Sequence, residues 1–291
     1  MKIIDLHCDT LMKLSANYSF KENSGHISEQ NLIKGGYAAQ CFAVYTPPEI
    51  RGENAFKFAN NEFIKFRKMI AESEIFNNKI SAVLTMENAE FLNQKIERIK
   101  VLKEHNVKIL GLVHNDENCL AYPHSADKSK DGLGLKNFGK TVVDYLNFTD
   151  ITVDVSHLNY GGFCDVAKFS KKPFVATHSA CREICNHSRN LYDTQIKQIA
   201  NSGGVIGIPF YSKFLNGGEK TDIKDIILHL KHLIKIGGED AAAIGTDFDG
   251  MECLMFIKDA SGMQVLADAL IKEFGFWVAE KICFKNALKV L

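Results

Sequence analysis

Seven residues in this chain have the types and spacings that metal-assisted chemistry uses: His7, Asp9, Glu87, His114, His157, His178 and Asp247. His7 and Asp9 stand two apart in Asp5-Leu6-His7-Cys8-Asp9. On an extended segment their side chains share a face, so both can reach one ion. His157 and His178 end consecutive apolar runs, which as neighbouring strands would lie about 5 Å apart and let the two imidazoles grip a second ion. Glu87 ends an apolar run between these two groups, and its two carboxylate oxygens suit it to bridge them. Imidazole and carboxylate ligands together favour Zn2+, with Mn2+ or Co2+ as alternatives. Two such ions about 3.5–4 Å apart can hold a hydroxide and polarise a carbonyl at the same time. Singly, each residue has an ordinary reading: a half-buried strand-end histidine, a helix-starting Glu87, a turn at Gly245-Thr-Asp247-Phe-Asp-Gly250. Their joint position, each at or just past the end of a short apolar run, is what points to a shared chemistry.

Those runs cover residues 2–8, 38–45, 79–86, 107–113, 151–156, 174–177, 204–210 and 241–246. Several are apolar on both faces, as strands covered on both sides require. Between them lie segments with helical apolar spacing, at 54–72, 88–104, 135–146, 160–169, 194–200 and 222–236. The tail from 262 to 291 reads as two helices broken near Gly275. Strand and helix in regular alternation, with no Pro/Ser-rich linker, predict an α/β protein with one (β/α)8 TIM-barrel domain over 1–291 and C-terminal helices. In such a barrel, function sits at the carboxyl ends of the strands. That end is where the seven residues fall.

Composition narrows the partners. The 291 residues are 46% hydrophobic and 24% charged, with 35 Lys+Arg against 35 Asp+Glu, which excludes a disordered or collagen-like chain. A net charge of +0 without like-charge blocks gives no reason to expect nucleic acid or an anionic membrane. No apolar stretch approaches the ~20 residues of a bilayer span. The opening Met1-Lys2-Ile3-Ile4-Asp5 lacks a basic region followed by an apolar segment, so a cytoplasmic protein with reduced cysteines is expected. Cys181 and Cys185 read as packing residues on a short helix. His229 and His232 read as solvent-facing or capping, and His26, His105 and His124 as loop or helix-surface residues. Phe210 and Tyr211, after the seventh run, are candidates to line a pocket.

With these residues in view, the chain resembles the membrane dipeptidase (renal dipeptidase) family, the M19 metallopeptidases of the amidohydrolase-type barrels. Four motifs carry the likeness: Asp5-Leu-His7-Cys-Asp9, the strand-end Glu87, His178-Ser179 with His187-Ser-Arg189-Asn190-Leu-Tyr-Asp193, and Gly245-Thr-Asp247-Phe-Asp-Gly250. The resemblance implies two Zn2+ ions, one on His7, Asp9 and Glu87, the other on Glu87, His157 and His178. It further implies a metal-bridging hydroxide that attacks the peptide bond of a dipeptide. His114 would bind the carbonyl oxygen or oxyanion, Arg189 with Asn190 and Tyr211 would contact the rest of the substrate, and Asp247 would move the proton. The alternatives are another amidohydrolase-like reaction on the same rim, on an N-acyl amino acid, lactam or lactone, and an inactive metal-binding scaffold. The expected partner is a small-molecule dipeptide, with a homodimer as one assembly open to the chain. The chain departs from the family pattern at Cys8, at Asn88 where glycine is common, at Ser188 where proline often stands, and at Pro209 where a polar residue is expected. Phe284-Lys-Asn286 also lacks the glycine often seen before that asparagine.

Overall fold

The computed structural model describes residues 1–15, 19–21, 23–76, 79–125, 127–252 and 254–291. Cys253 lies outside the described residues; the other cysteines are free thiols. Seven of the apolar runs become strands: β1 (Ile3–Asp5), β2 (Tyr37–Tyr45), β3 (Ser81–Glu87), β4 (Ile109–Gly111), β5 (Thr152–Asp154), β6 (Ile206–Ile208) and, after a short β7 (Lys220–Thr221), β8 (Ala242–Ile244). They pair in parallel in the order β5-β4-β3-β2-β1-β8-β6. The remaining run, 174–177, pairs in parallel through one residue on each side, Val175 with Asp154 and Ala176 with Ile206, and so fills the gap. The Val175 N–H donates to the Val153 carbonyl and the Gly207 N–H to the Ala176 carbonyl, each at 2.9 Å. The sheet thereby closes into eight staves in chain order, the (β/α)8 barrel. β7 and β9 (Leu254–Met255) form a separate two-residue parallel ladder that the apolar pattern does not foretell.

Two apolar layers hold the ring. Ile4, Leu6, Ala39, Cys41, Ile109, Val175, Val205 and Ala243 pack together from different staves and meet Phe284, Val290 and Leu291 of the tail. The larger layer joins the outer stave faces to the helices. The ring is tightest beside the 174–177 stave. A Cβ built on Gly207 would stand 2.0 Å from the Thr177 carbonyl oxygen, and one on Gly245 1.8 Å, so only glycine lets these backbones approach.

The helices follow the expected segments closely: Gly52–Glu72, Asn137–Leu146, Tyr160–Phe169, Asp193–Asn201 and Ile223–Gly237. Asp222 opens the last with a capping box, its side chain accepting from Lys224 N–H while Asp225 accepts from its own N–H. The segment 88–104 differs. It breaks into 3-10 turns at Ala89–Leu92 and Ile96–Arg98 before a short helix at Ile99–Glu104. Asn93 (φ 45°) and Gln94 (φ 59°) are left-handed, which a right-handed helix cannot pass through. The tail breaks at Gly275 (φ 80°) as expected, and Asn286 closes the amino end of the barrel by donating to the carbonyls of Glu239 and Ala242. Among the described residues no helix is long and apolar enough to cross a membrane.

Candidate active site

The site follows from what each strand carries at its carboxyl end. Two buried aspartates organise the ends by the same device. Asp5, at the end of β1, accepts from the N–H groups of His7 (3.3 Å) and Thr246 (2.8 Å) and from the Thr246 hydroxyl (2.7 Å). Asp154, at the end of β5, accepts from the N–H groups of Ser156 (2.8 Å) and Thr177 (3.0 Å) and from the Thr177 hydroxyl (2.5 Å). In both cases the threonine immediately precedes a site residue, Asp247 or His178. Each aspartate thus locks two neighbouring staves where they present side chains to the mouth. Asp5 is so enclosed that burial raises its carboxyl above the ordinary range.

At the mouth the backbone itself is turned. His157 (φ 67°), Asp247 (φ 63°) and Asp249 (φ 67°) all occupy the left-handed region, an arrangement that costs a non-glycine residue free energy and that the surrounding contacts must hold. Asn88 (φ 66°) does the same directly after Glu87, which explains glycine as the common residue there; asparagine tolerates this backbone, and its amide also donates to the Thr46 carbonyl at 2.7 Å. The buried Asp249 carboxylate accepts from Thr10 Oγ1 (2.7 Å), His26 N–H (2.9 Å) and Lys13 Nζ (3.3 Å). It ties the 247–250 turn to the loop after β1.

The expected ligands converge. His7 Nε2 lies 3.4 Å from Asp9 Oδ2 and 3.9 Å from both Glu87 Oε2 and Asp247 Oδ1. Glu87 Oε1 points the other way, 3.1 Å from His157 Nε2 and 3.5 Å from His178 Nε2. Those two imidazole nitrogens face one another at 2.9 Å. Their tautomers can be read from the far side of each ring. His157 Nδ1 stands 2.9 Å from Asn115 Oδ1, an acceptor only, and therefore carries the proton. The Thr177 hydroxyl donates to Asp154, so at 2.9 Å it accepts from His178 Nδ1–H. Both Nε2 atoms are thus bare lone pairs aimed at one point, a repulsive pairing unless a cation lies between them.

Electrostatics agree. Burial keeps both of these imidazoles well below their ordinary range, hence neutral. Burial would lower His7 as well, but the charges of Asp9, Glu87 and Asp247 outweigh it and push the imidazole up to about 10. Glu87 and Asp247 are themselves raised by burial. A pocket that draws protons onto its own ligands is one that attracts positive charge. His7 Nε2 and Glu87 Oε1 are buried without a hydrogen-bond partner. A Cβ on Gly250 would fall 2.0 Å from Asp9 Oδ2 and 2.7 Å from Asp247 Oδ1, so glycine there leaves the carboxylates their space. Orphaned donors of imidazole and carboxylate type fit divalent cations of the Zn2+ class.

Around this cage lies a cleft of about 430 Å³ lined by Asp9, Glu87, His114, His157, His178 and Asp247, with Tyr211, Phe214, Met251 and Glu252 along its outer wall. Burial drops His114 to about 4, leaving a neutral ring beside Tyr45 (4.6 Å between centroids) with Nδ1 unpartnered. Arg189 is buried next to the cage. Its Nη1 donates to Ser179 Oγ and its Nη2 to the His178 carbonyl, both at 2.7 Å, while Nε has no partner. Neither Arg189 nor Asn190 is among the residues that line the cleft; the Asn190 amide donates to the Cys185 and Phe214 carbonyls at 2.8 and 2.7 Å and folds the loop that carries Arg189.

Several outlying expectations change. His229 is not solvent-facing but fully buried, accepting from Cys181 N–H and donating to the Leu215 carbonyl, so its helical position hides a cross-link between loops. No helix forms at Cys181 and Cys185; Cys181 instead bridges to Leu191. His124 lies in a loop, as expected, and that loop brings it against His157, with 5.9 Å between ring centroids. Sequence spacing also passes over Asn115, Asp154, Thr177 and Phe214. The Asp154/Thr177 pair echoes Asp5/Thr246, and that repetition is the signal a sequence reading had available.

The sequence profile of the membrane dipeptidase family (Peptidase family M19) matches residues 1–291. The solved structure of a family M19 metallopeptidase, the dipeptidase AC, superposes with a TM-score of 0.93 at 27% identity over 100% of this chain and 97% of its own. A metallopeptidase from Rhodobacter sphaeroides, liganded with a phosphinate mimic of the dipeptide L-Ala-D-Ala, gives 0.91 at 26% over 100% and 98%. An uncharacterized protein in the pqqA 5' region of Klebsiella pneumoniae is 35% identical over 59% of this chain and 64% of its own length. The matches span under two thirds of the curated relatives' length. Matched along its whole length, the chain belongs to the membrane dipeptidase family of metallopeptidases, M19.

Proposed function

We propose that this chain is a metal-dependent dipeptidase with a dinuclear centre, and that zinc is its metal. The observation that carries the reading is Glu87, whose two oxygens address different ligand groups: Oε2 faces His7, and Oε1 faces His157 and His178. His7, Asp9 and Glu87 would hold one cation, and Glu87, His157 and His178 the other. When bound, such a pair supplies Lewis acidity and a water-derived nucleophile at neutral pH. Family membership supports the peptide bond as target, and the phosphinate-liganded neighbour supports a dipeptide as the substrate class.

The chain's own residues then divide the work. His114, neutral and part-buried, donates its ring N–H to the carbonyl oxygen as charge builds there. Asp247, raised by burial toward the range where it can both take and give a proton, accepts one from the attacking water and returns it to the leaving amine. Arg189 keeps Nε and the outer Nη protons for the terminal carboxylate of the substrate. Tyr211, packed edge-on against Phe214 at 4.9 Å, walls the side-chain space.

The test is metal analysis of the purified protein, combined with hydrolysis of a dipeptide panel before chelation, after it, and after metal return. Two equivalents of metal and turnover that disappears and returns with it are expected. Turnover that ignores chelation would overturn the metal mechanism. Retained metal with cleavage of N-acyl amino acids or lactones but no dipeptide would move the substrate class, and no turnover at all would leave an inert scaffold.

A further inference from the structure

Four polar side chains form an unbroken line from the cage to the loop that carries Arg189. Ser188 Oγ stands 3.0 Å from His124 Nδ1, His124 Nε2 3.1 Å from Asn115 Oδ1, and Asn115 Oδ1 2.9 Å from His157 Nδ1. Donor chemistry fixes every proton on it. The amide oxygen only accepts, so His124 Nε2–H and His157 Nδ1–H both donate to it. His124 Nδ1 is then the bare nitrogen, and the Ser188 hydroxyl donates to it. The backbone runs alongside: His124 N–H donates to the His157 carbonyl at 2.6 Å, Asn159 N–H donates to the Tyr122 carbonyl at 3.2 Å, and Pro123 bridges to Leu158. The left-handed His157 is therefore held through its peptide by this short segment and through its ring by Asn115, which His124 holds in turn. At the other end Ser188 directly precedes Arg189, whose N–H donates to His187 Nδ1 at 3.1 Å.

We propose that His124 is a positioning residue that fixes the Arg189 loop through Ser188 and the His157 imidazole through Asn115, holding the carboxylate end and the metal end of the cleft at one separation. This rests on the dipeptidase reading, since it is that separation which makes the site a ruler for peptides ending one residue past the scissile bond. A fixed separation rewards a dipeptide and penalises a tripeptide. Loosening either link weakens the reward first.

The test uses the metal-loaded protein and the variants Ser188→Ala, Ser188→Thr, His124→Ala and Asn115→Ala, read by KM and kcat on a dipeptide and the tripeptide one residue longer. Zinc affinity is measured separately by chelator competition. Ser188→Ala should raise the dipeptide KM about 5–10-fold, more than it lowers kcat, and cut the dipeptide-over-tripeptide preference by a similar factor, the worth of one hydrogen bond to a positioned group. Ser188→Thr, which keeps the hydroxyl, should restore both. His124→Ala should also weaken zinc binding, because Asn115, which accepts the outer hydrogen bond of His157, is no longer held; Asn115→Ala, which removes that bond itself, should lose roughly tenfold. Asn115→Ala breaks the same half of the line at an exposed position and serves if His124→Ala does not fold. Unchanged KM and preference in Ser188→Ala, or unchanged zinc affinity when the His124–Asn115 half is broken, would overturn the proposal. If the wild type cleaves no dipeptide, the dipeptidase reading falls, and the zinc comparison alone decides whether His124 positions His157.

Discussion

At the scale of single residues, burial is what turns ordinary side chains into reagents. Asp247 is enclosed, set in a left-handed turn, and 3.9 Å from His7 Nε2, beside the cage where the proposed proton transfer would take place. Asp247→Asn keeps the shape and removes the base. kcat should fall about 10²–10⁴-fold with metal content unchanged, as elemental analysis beside the kinetics would show; a parallel loss of metal would make Asp247 a ligand instead. Arg189 offers a second test. Lysine keeps the charge but loses the fork, so Arg189→Lys should lower kcat/KM for a dipeptide about 10–100-fold while leaving its C-terminal amide, which has no carboxylate, nearly as before. Equal losses on both substrates would remove the carboxylate from the account. The cage residues were legible in the sequence because their chemistry stands at strand ends. Ser188, His124 and Asn115 were not, because they come from two separate connections, 112–127 and 178–192, whose meeting depends on the 122–124 segment lying along residues 157–159.

At the scale of elements, the staves were readable and their lengths were not. Apolar periodicity marks where a strand can be buried, and all eight runs became staves. The hydrogen-bonded core of most is only three residues because the backbone turns away early to present its side chains at the mouth. The 88–104 segment misled for a local reason: its apolar spacing is helical, but Asn93 and Gln94 break the path. Close backbone approach is likewise invisible to periodicity. The Thr177 carbonyl reaches toward both Gly207 and Gly245, and a methyl group at 245 would meet it at 1.8 Å. Gly245→Ala should therefore cost more than about 2 kcal/mol in a urea denaturation series, an overpacking penalty without relief nearby. A cost within about 0.5 kcal/mol would mean that the barrel is looser there than its geometry states.

At the scale of the whole molecule, barrel and cage should be thermodynamically linked. Metal-free, His7 is raised to about 10 and so carries a proton at neutral pH, and burial favours the protonated form of Glu87 as well. Cation binding needs those lone pairs. Loading should accordingly release protons, detected as a dependence of calorimetric heats on the buffer's ionisation enthalpy. Identical heats in buffers of different ionisation enthalpy would contradict the raised His7. Because the ligands are gathered only in the folded chain, zinc at a hundred times its Kd should add about 2.7 kcal/mol and raise Tm by several degrees, and Glu87→Gln should abolish most of that gain.

The 174–177 stave, held by two backbone hydrogen bonds on its β5 side and three on its β6 side against the seven-residue register of β2 with β3, has a consequence for how the barrel breathes. It is the natural seam for transient opening, and the amides of Val175 and Gly207 should trade hydrogen for deuterium sooner than those in the long β2–β3 ladder. His157 stands just past one side of that seam and His178 just past the other. An ion gripped by both would act as a clasp across it, slowing deuterium uptake far from solvent and leaving the opposite wall of the ring as it was.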